Sequence, residues 1–274
     1  MERNKSIDSA AGLMILYMVF THVCQHYDFN HSKVYVILEH IFFFFMPWFF
    51  FKAGMFFRPG DNKEFMLKSA ERLLKPFVIY SVIGHLIYCL IAYFNNDMHL
   101  STYIPVRSLL LMGSIPGNLP LWFLLTLFLC RISLNTLVNL RVSEIVIAIS
   151  ALSIAMILQL ANFDEPYYFA NCMTGLFFMC MGYMMTKKMS FTPPIWVLCI
   201  IVYTVSFFFP SFVGMRSNHL YYGSYILWII YSLSGIVILN QICNNKYIGR
   251  LHLNVIGKYS MEIYCIHWIL LMLI

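Results

Sequence analysis

His22 is the residue of this chain whose type and position best suit chemistry. It shares one helical face with Ala11, Ile15 and Met18, at spacings of four, three and four. A neutral imidazole near pH 7 can take a proton from an attacking hydroxyl. The same residue could also be an interfacial histidine wetted by lipid headgroups. His26, Asp28, His31, Glu39 and His40 add polar groups near the same end. His22 and His26 are spaced i,i+4, a pair that binds a metal only if further ligands converge, and no metal site is predicted. Glu39 or His40 could orient the imidazole, or both could be ordinary residues at a loop edge.

Lys52 interrupts the aromatic run FMPWFFFKAGMFF (45–57). It either snorkels to the inner interface or contacts an anion inside the protein. The segment 58–75 interleaves Lys63, Lys68, Arg72 and Lys75 with Phe65, Leu67, Leu73 and Leu74. Such a segment attracts anionic lipid, or it cradles the phosphates of a cytoplasmic substrate through arginine forks and lysine point charges. Near the C-terminus, Glu262 and His267 fall on one apolar stretch. His267 is predicted neutral and hydrogen-bonded, in a structural or a catalytic role. His85 reads as structural, with no partner evident, and Trp122 as an interfacial anchor. The eight cysteines form no C-x-x-C pair, so neither a zinc site nor a redox motif is signalled.

These residues must be positioned by membrane helices. Of the 274 residues 61% are hydrophobic and only 11% charged, with a mean hydropathy of +0.74. A soluble domain carries about 25% charged residues. The fold class predicted is therefore all-α, a polytopic helix bundle in a lipid bilayer, forming one integral domain over 1–274. Spans are predicted near 8–26, 35–57, 74–94, 119–137, 143–161, 167–186, 194–210, 221–243 and 258–274. A short piece at 105–113 is re-entrant or interfacial, and Pro116 to Pro120 break it from the next span.

Lysine and arginine set the sidedness. Fourteen of the 18 fall at alternate span ends beginning with the N-terminus, three (Lys33, Arg107, Arg216) fall on the opposite side, and Lys52 lies within a span. The N-terminus is thus predicted cytoplasmic. The net charge of +6 follows from this bias, so no nucleic-acid partner is predicted. The first apolar run has no cleavage site and is expected to remain as an anchor. The ending LLMLI, inside the last helix, suggests a shortened protein.

Five phrases in order carry a resemblance: SIDSAAGLMILYMVFTH (6–22), FMPWFFFKAGMFF (45–57), AERLLKPF (70–77), LPLWFLLTLF (119–128) and YSMEIYCIHW (259–268). Together they resemble the third acyltransferase family, multi-pass enzymes found mainly in the bacterial inner membrane. The resemblance implies transfer of an acyl group, often acetyl, from cytoplasmic acyl-CoA to a hydroxyl of an envelope or lipid-linked glycan, with no tightly bound cofactor. His22 matches the family's essential histidine and Arg72 its basic hinge position. Pro47 and Gly54 match its second-helix phrase, and Tyr264 and His267 its late Tyr-x-x-His. Many members carry a basic residue at the position of Ala11 and an arginine at that of Ser69. Lys52 and Lys68 are expected to compensate around the donor phosphates. The family usually has one further helix after the Tyr-x-x-His one. A transporter or flippase of a lipid-linked glycan or small metabolite, and an inactive relative, are the rival readings.

Overall fold

The computed structural model describes residues 4–96, 105–163, 165–188, 193–244 and 251–274. The predicted inner-side residues Arg3, Lys246 and Arg250 lie outside them. The helices are α1 (Lys5–His26), α2 (Lys33–Phe42), α3 (Phe45–Met55), α4 (Asn62–Ser69), α5 (Lys75–Phe94), α6 (Pro105–Met112), α7 (Trp122–Asn139), α8 (Glu144–Leu160) and α9 (Tyr167–Lys188). They continue as α10 (Pro193–Val205), α11 (Tyr225–Cys243), α12 (Leu253–Lys258) and α13 (Ser260–Leu273). Strands β1 (Phe212–Gly214) and β2 (His219–Tyr222) pair in a two-stranded sheet, a departure from a purely helical chain. Among the described residues, five helical stretches are long and apolar enough to cross a membrane: Lys5–His26, Lys33–Met55, Asn62–Phe94, Leu119–Asn139 and Tyr225–Cys243.

Two predicted spans are reshaped by proline. The stretch 35–57 divides into α2 and α3 at Phe43 and Phe44. Pro47 has no N–H to offer, and its ring opposes the carbonyl four residues back, that of Phe43. The stretch 74–94 instead begins at Asn62, because α4 runs through a π-helical turn (Ala70–Leu74) into α5. Pro76 cannot donate to the Arg72 carbonyl, and the Lys75 N–H reaches Ala70, five residues back. The predicted span 194–210 ends early at Val205, before the β-hairpin.

The described residues group into two compact units. In the first, which contains residues 4–52, α1 is a core helix. Ala10, Ala11 and Met14 are wholly buried, and Ile15 and Met18 nearly so. A helix apolar all round belongs in an interior. A Cβ on Gly12 would stand 2.1 Å from the Leu253 carbonyl oxygen, and one on Gly257 would stand 1.8 Å from that of Asp8. Backbone thus meets backbone where α1 crosses α12, the close approach that small residues permit in membrane proteins. The C-terminal half of α1 packs on aromatic rings: Tyr17 meets Phe42 and Phe45. The Tyr203 hydroxyl on α10 donates to the Ile41 carbonyl at the end of α2. Trp48 donates to Asn240 on α11 at 2.9 Å.

The second unit contains residues 53–187. Gly54 allows α3 to touch α9, since a Cβ there would lie 1.9 Å from the Met179 carbonyl oxygen. The turn between β1 and β2 is pinned by side-chain amides. Asn171 accepts from Thr126 at 2.9 Å and donates to the Arg216 carbonyl at 2.8 Å. Asn218 accepts from Thr174 at 2.6 Å and donates to the Ala155 carbonyl at 2.9 Å. Hydrogen bonds of this kind hold helices together where water is scarce.

Candidate active site

In the first unit, His22 stands where α1 passes from core to surface. The residues below it on its face are Ala11, Ile15 and Met18, all at 0–1% exposure, whereas His22 itself is half-buried. At 1.5 Å per residue it lies about 25 Å along the helix from Lys5. The imidazole is therefore held by a rigid element and remains reachable.

Polar groups gather at the same end of this unit. Gln25 donates to the Tyr35 hydroxyl at 3.4 Å, and Glu39 follows one turn along α2. Burial, with the Glu39 charge adding to it, raises the Tyr222 phenol above its ordinary range. His40 directs Nδ1 at the Val36 carbonyl of its own helix, 2.8 Å away. Lys52, half-buried on α3, lies over the Trp48 ring at 5.5 Å from its centroid, a cation–π contact.

In the second unit the basic segment is a docked helix rather than a loose hinge. Asp61 caps α4 by accepting from the Lys63 and Glu64 N–H groups, each at 3.0 Å. On α7, residues 131, 135 and 139 repeat every four and so line one face. Asn139 and Asn135 hold the start of α4, both donating to the Gly60 carbonyl and to Asn62 Oδ1, at 2.7–3.1 Å. One turn up, Arg131 Nε donates to Ser69 Oγ at 3.4 Å, and its guanidinium lies 5.0 Å from the Phe65 ring centroid.

Arg72 follows Ser69 by three residues, inside the π-helical turn, and is exposed. π-Turns within α-helices occur frequently at functional sites. Lys68 is exposed and pairs with Glu64 at 2.6 Å on the same helix. Such surface pairs stabilise by about 0–1 kcal/mol.

His267 is buried, at 5% exposure, on α13. Two residues before it, the Cys265 carbonyl accepts from Asn118 Nδ2 at 2.9 Å, which ties α13 to the Pro116–Pro120 break. His85 has a partner after all: its Nδ1 lies 3.1 Å from the Pro116 carbonyl oxygen. Trp122 is buried at 7% exposure, an interior side chain rather than an interfacial anchor. The turn Leu119–Leu121 starts α7 so that Leu121, Trp122, Phe123 and Leu124 are all buried.

Of the sequence-derived site residues, His22 and Lys52 belong to the first unit, and Lys68, Arg72 and His267 to the second. Sequence reasoning missed Arg131, which it counted only as a charge at a span end. The signal lay in the series Arg131, Asn135, Asn139, a cation and two amides one turn apart on a mostly apolar helix.

A family model for the acyltransferase domain of acyltransferase family 3 matches residues 4–274. The chain belongs to this family, and it is an acyltransferase. Neither the search of curated proteins nor that of solved structures returned a match.

Proposed function

We propose that this acyltransferase moves an acyl group, acetyl by preference, from cytoplasmic acyl-CoA to a hydroxyl of an envelope or lipid-linked glycan. The bilayer crossed is the bacterial inner membrane, with the N-terminus cytoplasmic and about nine crossings. His22 is the general base. It takes the proton of the sugar hydroxyl as the oxygen forms its bond to the thioester carbonyl carbon. The C–S bond then breaks, and the CoA thiolate leaves and is protonated. His267 is the second imidazole assigned to the reaction. Arg72, Lys68 and Lys52 are assigned to the donor phosphates.

The observation that carries this reading is the position of His22. It is the half-buried, reachable end of a helical face whose other members are sealed. The basic stripe Lys68, Arg72 and Lys75 on the rigid α4–α5 stretch supports a phosphate-bearing donor.

Purified protein in lipid nanodiscs, given acetyl-CoA and envelope glycan extract, should release free CoA thiol in step with ester formation. His22→Ala should lower that rate by about 10²–10⁴-fold. Thiol release that is equal with and without the glycan, or equal in wild type and variant, would count against the assignment. A transporter would release no thiol at all.

A further inference from the structure

Arg131 and Arg72 place two cations on facing elements of the second unit. Arg131 is half-buried near the middle of α7, and it bonds Ser69, three residues before Arg72 on the α4–α5 stretch, which brings the two cations to one neighbourhood. Among the described residues, neither guanidinium has a carboxylate within salt-bridge distance. What surrounds Arg131 is neutral: the Ser69 hydroxyl, itself 2% exposed, and the Phe65 ring. A partly desolvated cation beside a second cation, with no described carboxylate bonded to either, is destabilising for the protein alone. The same pair becomes favourable once a polyanion sits against it.

The position is also built. Asn135 and Asn139 clamp the start of α4 to the face of α7 that carries Arg131. The Ser69 contact fixes the guanidinium through Nε. The two terminal nitrogens are then left to form a fork, which suits a phosphate better than an ammonium would.

We infer that Arg131, together with Arg72, grips a phosphate group of the acyl-CoA donor, with Ser69 as the positioning residue that sets the angle of the fork. The inference rests on the donor assignment proposed above. Anionic lipid headgroups offer the same phosphate chemistry, and the test separates the two sources.

CoA binding is measured by calorimetry on the full chain in nanodiscs of zwitterionic lipid, for wild type, Arg131→Gln, Arg131→Lys and Ser69→Ala. Inorganic pyrophosphate serves as competitor, and thermal unfolding confirms the fold. Arg131→Gln should raise the Kd for CoA about tenfold or more, and pyrophosphate should no longer compete. Arg131→Lys should recover part of the affinity, and Ser69→Ala should lose a few-fold.

Unchanged CoA affinity in Arg131→Gln, with wild type binding normally, overturns the role of Arg131 and leaves the donor assignment standing. If that variant instead loses co-purified phosphatidylglycerol by native mass spectrometry while keeping CoA, the site is a lipid's and the inference is wrong. Equal weakening in the Gln and Lys variants, with pyrophosphate still competing, reduces Arg131 to a structural residue. No CoA binding by the wild type removes the donor assignment and the inference together.

Discussion

The residues that carry the account differ in how visible they were. His22 was legible because a lone ionisable side chain in an apolar stretch is conspicuous and its helical face can be counted. Its half-buried state follows from the same periodicity: Ala11, Ile15 and Met18 seal the face beneath it. Arg131 was not legible in the same way, since its meaning comes from the docking of α4, sixty residues earlier in the chain. Arg72 has no carboxylate to pair with among the described residues, so Arg72→Gln should leave the melting temperature near wild type. The same change should raise the KM for acetyl-CoA by about tenfold. A loss of folded protein, with KM unchanged in what remains, would show that Arg72 is structural. Lys68, exposed and paired with Glu64, should matter less: Lys68→Ala should shift KM no more than a few-fold, read in the same assay.

At the scale of elements, prolines decided what apolar runs could not. The run 35–57 is apolar throughout, and hydropathy alone reads it as one helix. Pro47 divides it, and Pro76 turns the expected hinge into a π-helical passage from α4 to α5. The amphipathic character of 58–75 was visible, but not that α7 would hold it through Asn135 and Asn139. Removing both amides with Asn135→Ala and Asn139→Ala should loosen α4, raising amide hydrogen exchange across 62–69 while exchange in α1 stays at wild-type levels. Uniform protection would mean that the amides do not hold the segment. The α1–α12 crossing gives a second prediction at this scale. Gly257→Ala places a methyl 1.8 Å from a backbone oxygen, where only the backbone can yield, so it should cost about 1–3 kcal/mol. The measurement is thermal unfolding in detergent, and an unchanged midpoint would contradict the packing described.

For the whole molecule, composition was decisive about class. With 11% charged residues the chain cannot coat a globule, and five described helical stretches are long and apolar enough to cross a bilayer. The small sheet at 212–222 escaped notice because strands of three and four residues leave no periodic trace beside helices of twenty residues. The order of five phrases along the chain is matched by a family assignment that covers residues 4–274. Esterification of an envelope glycan through His22 is the activity proposed for this acyltransferase. Its most direct test is the acyl content of envelope glycans, by mass spectrometry, from cells expressing wild type, His22→Ala or neither. An acyl mass gain is expected with wild type alone, while both proteins are found folded in the membrane. An equal gain with His22→Ala, or no gain on any glycan in a host that supplies the acceptor, would contradict it.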